Sequence, residues 1–215
     1  MKIVLDGKEI DAEVIITTIE HITETEPAYK PLKGWHIAYD AGHGGTDPGA
    51  VNGYVYEKNL NRKMADAIIS KLRGLGAEVI NIRQNDEYVD LADRACKAND
   101  AAAHIFVSGH HNSAVPEARG IETYHYPGSY YGSLLADAIH QHVAPASGLA
   151  NRGVKQANFQ VLRETSMPAA LIEFGFLSNP EELAIIMSDD FVQRVSQSVV
   201  VGICEFCTNN PNLKA

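Results

Sequence analysis

From residue 34 onward, short apolar runs alternate with longer stretches in which apolar positions recur every three or four residues. Trp35 to Tyr39 reads as a strand running into a Gly-rich loop, Gly42 to Gly49. Lys58 to Leu75 carries Leu60, Met64, Ile68, Leu72 and Leu75 at helical spacing, with Gly74 and Gly76 as its stop. Strands follow at 77–82, 104–108, 120–126 and 169–173, and helices at 91–101 and 133–143. Asn179-Pro180-Glu181-Glu182 predicts a capping-box-like helix start, and a last helix places Phe191, Val195, Val199 and Ile203 on one face. Alternation of this kind predicts an α/β fold: a single mixed, mostly parallel twisted sheet flanked by helices.

Residues 1–33 differ. Asp6-Gly7 between Ile3-Val4-Leu5 and Glu9-Ile10 is a hairpin signal, and Pro27 and Pro31 bracket a stiff connector. The expected organisation is a small N-terminal β appendage with linker (1–33), a catalytic domain (34–207) and a tail (208–215).

The chain has 215 residues, enough for one sizeable domain with a real core. Its formal net charge of -9 argues against a nucleic-acid partner, which calls for a Lys/Arg-rich face. Three Cys are too few, and odd in number, for a disulfide framework. No apolar stretch approaches the roughly 20 residues that span a bilayer, and the first residues meet charge too early for a signal peptide. No nucleic acid or membrane is expected as a partner, and a monomer is expected.

Ligands in open α/β sheets gather outside the carboxyl ends of the strands, so the residues there are the informative ones. They are Asp40-Ala41-Gly42-His43-Gly44-Gly45 after the first strand, Gly109-His110-His111-Asn112 after the 104–108 strand, and Glu173 at the end of the 169–173 strand. Glu57 stands just ahead of the first long helix. Imidazoles and carboxylates thus converge on one edge of one sheet. Two His and a carboxylate suit a catalytic zinc site with one open position, and a second carboxylate nearby suits a general base. Each piece has a plainer reading: a Gly-rich turn, a surface His, a strand-end acid. The turn also lacks a dinucleotide fingerprint, since Asp47 stands where the third Gly belongs. The buried acid is the hardest to dismiss, because a desolvated carboxylate is costly without partners.

Asp40-Ala41-Gly42-His43-Gly44-Gly45-x-Asp47-Pro48-Gly49-Ala50 resembles the opening motif of the zinc-dependent N-acetylmuramoyl-L-alanine amidases, bacterial and phage enzymes that cut peptidoglycan. Glu57-Lys58-Asn59-Leu60-Asn61, Val107 to Asn112, Asn151 to Lys155 with Val161 to Glu164, and Met167 to Asn179 are similar to that family's later segments. The resemblance runs in order over about residues 34–206. It implies Zn2+ held by His43, Glu57 and His110, with Glu173 taking a proton from the activated water and passing it to the departing amine. The family's ligand lies two before the Asn of its motif, which selects His110 over His111; adjacent strand residues also point to opposite faces. The implied substrate is peptidoglycan or a muropeptide, cut between N-acetylmuramic acid and L-alanine at the cell wall. Asn112 and Arg119 are candidate substrate contacts.

Rival readings are a zinc carboxypeptidase-like enzyme acting on stem peptides, and a muropeptide-binding module without turnover. The first is separated by the ends it leaves, the second by the presence of Glu173. Some family members carry a long helical insertion after the third ligand; here only residues 112–119 intervene, so an open cleft is expected. No wall-binding repeat is recognisable, and with an acidic chain beside an often anionic wall, a separate anchor is expected. Cys204 and Cys207 read as packing residues of the last helix; His21, His140 and His142 as solvated; His36 and His104 as packed or paired. His125 is open between the two.

Overall fold

A computed structural model describes residues 2–5, 8–11 and 30–214. The first strands, β1 (Lys2–Leu5) and β2 (Lys8–Asp11), pair antiparallel with Ile3 opposite Ile10, while the Asp6-Gly7 step between them lies outside the described residues. The remainder of residues 1–29 lies outside the described residues, and with it the linker and His21.

The main sheet contains β3 (His36–Ala41), β6 (Glu78–Asn81), β7 (Ile105–Asn112), β8 (Ile121–His125), β9 (Asn151–Gln156) and β10 (Ala169–Phe176). Its order is β6-β3-β7-β10-β8-β9. The first four of these run parallel, while β8 pairs antiparallel with β10 and β9 follows β8 in parallel. The sheet is therefore mixed and mostly parallel, as the alternation predicts. A short hairpin, β4 (Val51–Asn52) and β5 (Val55–Tyr56), interrupts the path from β3 to the first helix.

Six α-helices complete the described fold: α1 (Glu57–Gly74), α2 (Leu91–Asp100), α3 (Tyr130–Ser147), α4 (Gln160–Glu164), α5 (Pro180–Ile186) and α6 (Asp189–Asn209), followed by a 3-10 turn at Pro211–Lys214. Strand alternation divides the sheet. Ile37, Tyr39, Val107, Ile172 and Phe174 pack against Leu60, Met64, Ile68 and Leu72 of α1, Ile139 of α3, and Phe191, Val195, Val199 and Ile203 of α6. Ala38, Phe106 and Leu171 face the other way, onto Ala98 of α2 and Val161 and Leu162 of α4. Among the described residues no helix is long and apolar enough to cross a membrane.

Several local expectations are revised by packing. Strands β7 and β10 continue to Asn112 and Phe176, so the informative residues lie within the ladders rather than past them. Glu57 is the first residue of α1, not a residue ahead of it. Strand β9, with four polar or charged residues in Asn151, Arg152, Lys155 and Gln156, carries no apolar pattern; it is an edge strand held by backbone pairing with β8. Asn179 caps α5 by accepting from the amides of Glu181 and Glu182. Glu182 does not close the box: its carboxylate instead accepts from the amides of Gly120 and Phe176, tying α5 to two strands. The core also extends past the expected boundaries, since Leu32 is fully buried and α6 runs to Asn209.

His140 is not solvated. It is buried and bonded to Thr123 and Asn151, while the partly covered His142 meets Glu205 at 2.7 Å. Cys204 and Cys207 are buried in the core, and burial pushes the Cys204 thiol up to about 12. His36 and His104 stack at 4.8 Å. His125 is buried against the Tyr126 carbonyl.

Ile172 sits at 0% exposure beside Glu173, so Ile172→Ala should cost about 2–5 kcal/mol in urea denaturation. Leu91→Ala, at a position 50% exposed, should change stability by less than about 0.5 kcal/mol in the same titration.

Candidate active site

The site forms where β3, β7 and β10 end. Along β7 and β10, His110 stands directly opposite Glu173, and both project to the α2/α4 face; His111 projects to the other. Beyond β3 the chain turns through Gly42, whose amide still bonds the Gly109 carbonyl at 3.1 Å. A Cβ on Gly42 would lie 2.1 Å from the His110 ring, so only glycine lets the imidazole fold down there. His43 follows at φ 62, a left-handed conformation that a non-glycine residue adopts only when its surroundings hold it.

Two buried arginines supply that hold. Arg94 donates to the carbonyls of Ala41, His43 and Val89 and pairs with Asp40 at 2.7 Å. Asp40 also accepts from Ser108 on β7. Arg83 donates to the carbonyls of Ala41 and Lys58, linking the loop to α1. Each guanidinium satisfies carbonyls that the turn removes from the sheet ladder. Sequence reading placed no role on Arg83 or Arg94, because neither carries a local signal; their partners come from distant elements.

Glu57 opens α1 from the opposite side of the sheet and reaches over its glycine-lined end. One carboxylate oxygen accepts from the amide of His111 and from Asn61 and lies 3.0 Å from His110 Nδ1; the other accepts from the Ala50 amide and lies 3.1 Å from His43 Nε2. Burial alone would raise the proton affinity of Glu57, but hydrogen bonds from His110 and His43 hold its carboxyl well below the usual range. For His43, burial acts to lower the pKa, and the bonds and charges of Glu57 and Asp47 outweigh it to raise it. His43 Nδ1 donates to Asp47 at 2.8 Å, which leaves Nε2 directed at Glu57. Gly49 passes so close that a Cβ would lie 2.6 Å from both Glu57 and His43.

His43, Glu57 and His110 each offer one ligand atom, all within 4.8 Å of one another. The donor set fits a zinc ion: two imidazoles and one carboxylate, with the His43 ring oriented from behind by the Asp47 carboxylate. His111 stands apart. Its buried ring donates to Asn61 Oδ1 at 2.7 Å, and burial pushes it down to about 4, so it stays neutral and fixes the amide that in turn supports Glu57. That supporting role was not legible from the adjacent His pair.

Glu173 lines a groove of about 370 Å³ together with His43 and His110. The floor is polar, with Asp40, His43, Asp47, His110 and Glu173; the walls are Tyr88, Val89, Leu91, Phe159 and Val161. Glu173 Oε2 is buried without a hydrogen-bond partner. Burial first, then the charges of Glu57 and Glu122, raise its proton affinity well above the ordinary carboxyl value. Asn112 and Arg119 do not line the groove. Asn112 donates to Glu122 at 2.7 Å, while the exposed Arg119 contributes its carbonyl to Arg152. No helix lies between β7 and β8, in keeping with an open groove.

The mixed α/β sheet thus carries at its strand ends a His–Glu–His cluster able to hold a metal ion, and the same arrangement of sequence is shared by a known family. The model of the N-acetylmuramoyl-L-alanine amidase family matches residues 37–205, and the chain belongs to that family. It is 36% identical over 170 residues to a sporulation-specific N-acetylmuramoyl-L-alanine amidase of Bacillus subtilis, covering 78% of this chain and 66% of that one. An endolysin of Bacillus phage SPP1 is 38% identical over 174 residues, covering 77% of this chain and 64% of the relative's length. The solved catalytic domain of CwlV, an N-acetylmuramoyl-L-alanine amidase from Bacillus (Paenibacillus) polymyxa var. colistinus, superposes with a TM-score of 0.77 at 39% identity, over 80% of this chain and 97% of that one.

A carboxyl whose folded pKa is raised costs stability that is absent below the unfolded pKa, grows as pH rises past it and is complete above the folded pKa. Glu173→Gln should therefore raise the melting temperature of the metal-free protein at pH 7. The gap from wild type should close as pH drops toward about 4.5, read by calorimetry in the presence of chelator. A variant equal to or less stable than wild type at pH 7 contradicts the burial of a strained acid.

Proposed function

We propose that the chain is a zinc-dependent amidase of the cell wall. It hydrolyses the amide between the lactyl group of N-acetylmuramic acid and the L-alanine of the stem peptide. The observation that carries this reading is the meeting of His43, Glu57 and His110 within 4.8 Å, with the unpartnered Glu173 carboxylate facing the same groove. All four groups come from one chain, so a monomer suffices.

Zinc held by His43, Glu57 and His110 supplies Lewis acidity toward the scissile carbonyl and toward water. The protein supplies the rest. Asp47 fixes the tautomer of His43 by accepting from Nδ1, and the Asn61–His111 pair fixes Glu57. Glu173 is aimed into the groove with an unused oxygen and a high proton affinity. It takes a proton from the attacking water and passes it to the alanine nitrogen, which departs as a neutral amine. The walls formed by Tyr88, Val89, Leu91, Phe159 and Val161 leave the groove open to a polymeric substrate.

Purified peptidoglycan digested by the zinc-loaded protein should yield new L-alanine amino termini with intact sugar, and chelator should abolish the release, both read by mass analysis of fragments. Glu173→Ala should bind zinc as wild type does yet lose about 10²–10⁴-fold in turnover. Undiminished turnover, or cleavage at a different bond, overturns the reading.

A further inference from the structure

The cleft face of the sheet does not end at Glu173. The next strand places Glu122 directly opposite it, so His110, Glu173 and Glu122 form one cross-strand row. Glu122 is 2% exposed and is met by four donors. Tyr124 and Asn112 donate to Oε1 at 2.8 and 2.7 Å; Arg152 Nε, at 2.7 Å, and Lys155 Nζ converge on Oε2. One carboxylate thus faces two cations. The surplus positive charge stands on two side chains that each remain 36% exposed. Arg152 Nη2 has no partner among the described residues, and Lys155 makes one bond of the three its ammonium can donate.

These cations are held rather than loose. The Arg152 guanidinium lies 5.0 Å from the Phe176 ring centroid, and Lys155 lies over Tyr124. Tyr124 packs on Phe159, 5.2 Å away, which walls the groove. The pair is therefore continuous with the cleft and pre-positioned, on a chain whose overall charge of -9 would otherwise repel an anion.

We propose that Arg152 and Lys155 form an anion subsite that reads a free carboxylate of the stem peptide one residue beyond the alanine of the scissile amide. The proposal rests on the amidase reading above and extends it to substrate choice. The dimensions agree. Adjacent strands lie about 4.8 Å apart, which puts β9 roughly 10 Å from β10, and the long cationic side chains reach back toward Glu122. An extended peptide advances about 3.5 Å per residue, so a carboxylate on the second residue lies roughly 7 Å from the bond that is cut. Glu122 then acts as a positioning residue, drawing the two cations together on one oxygen against their mutual repulsion.

The test uses zinc-loaded full-length chain and three soluble muropeptides: one with free carboxylates, one carrying a carboxamide in place of the second-residue carboxylate, and one amidated at the third residue instead. Wild type should lose about tenfold in kcat/KM on the second-residue amide, mostly through KM, the loss expected for one charge-assisted bond. Amidation of the third residue should change little. In Lys155→Met, and in Arg152→Gln as a second variant, the ratio of free to second-residue amide should collapse toward one, and Lys155→Arg should restore it. A merely structural pair would lower both substrates equally and leave the ratio standing. Equal turnover of the two substrates by wild type, a ratio that survives Lys155→Met, or a loss tied to the third residue overturns the subsite. Failure to cut any of the three at the muramoyl amide overturns the amidase reading instead.

Discussion

A carboxylate taken out of water must be surrounded by donors, and Glu57 is where this molecule meets that demand. It is 4% exposed and draws on the backbone of the 50 loop, the backbone of β7, a side chain one turn along its own helix, and two imidazoles. Those groups belong to elements on both sides of the sheet. They can meet because Gly42 leaves room for the His110 ring and Gly49 for the Glu57 carboxylate and the His43 ring. Starting α1 on this residue also places the negative charge at the positive end of the helix, where it is favoured. The path of the His43 loop, the entry of α1 and the orientation of His110 are all consequences of satisfying one acid.

Glu173 is treated in the opposite way. It shares the cleft face with Glu122, yet the fold gives the donors to Glu122 and leaves one oxygen of Glu173 unpartnered. Two acids on neighbouring strands therefore have divergent proton affinities. Burial works to raise both, but bonds from Lys155, Arg152 and Tyr124 pull Glu122 down, while Glu173 has only like charges near it and rises. Such divergence is how a protein sets one carboxyl aside as an anchor and another as a proton carrier.

The layered fold was legible in the sequence because its helices bury periodic faces and its parallel strands are continuous apolar runs. Phe191, Val195, Val199 and Ile203 announce α6 without reference to anything else. Strand β9 could not be seen that way, since an edge strand is stabilised by the ladder beside it and its side chains are free to be polar. The same division runs through the site. The convergence of His43, Glu57, His110 and Glu173 follows from where strands end. The duties of Arg83, Arg94, His111 and Glu122 follow from contacts between residues far apart in the chain, and no local pattern encodes them. Arg119 was a candidate substrate contact, but the cation bound to Glu122 on the Glu173 face of the sheet is Arg152, from an edge strand the pattern did not show.

The long separations have a consequence for synthesis. His110 lies 53 residues beyond its partner Glu57, and Glu173 sits on the last strand to emerge, in the middle of the sheet between β7 and β8. A growing chain can display His43, Glu57 and His110 while the central slot that β10 will fill is still vacant. The three residues of the cluster all precede β10 in the chain, and the buried acid joins them only when that strand enters the sheet. On the proposed reading, a nascent chain therefore lacks its proton carrier until β10 has been delivered, and the helix that completes the core, α6, is made later still.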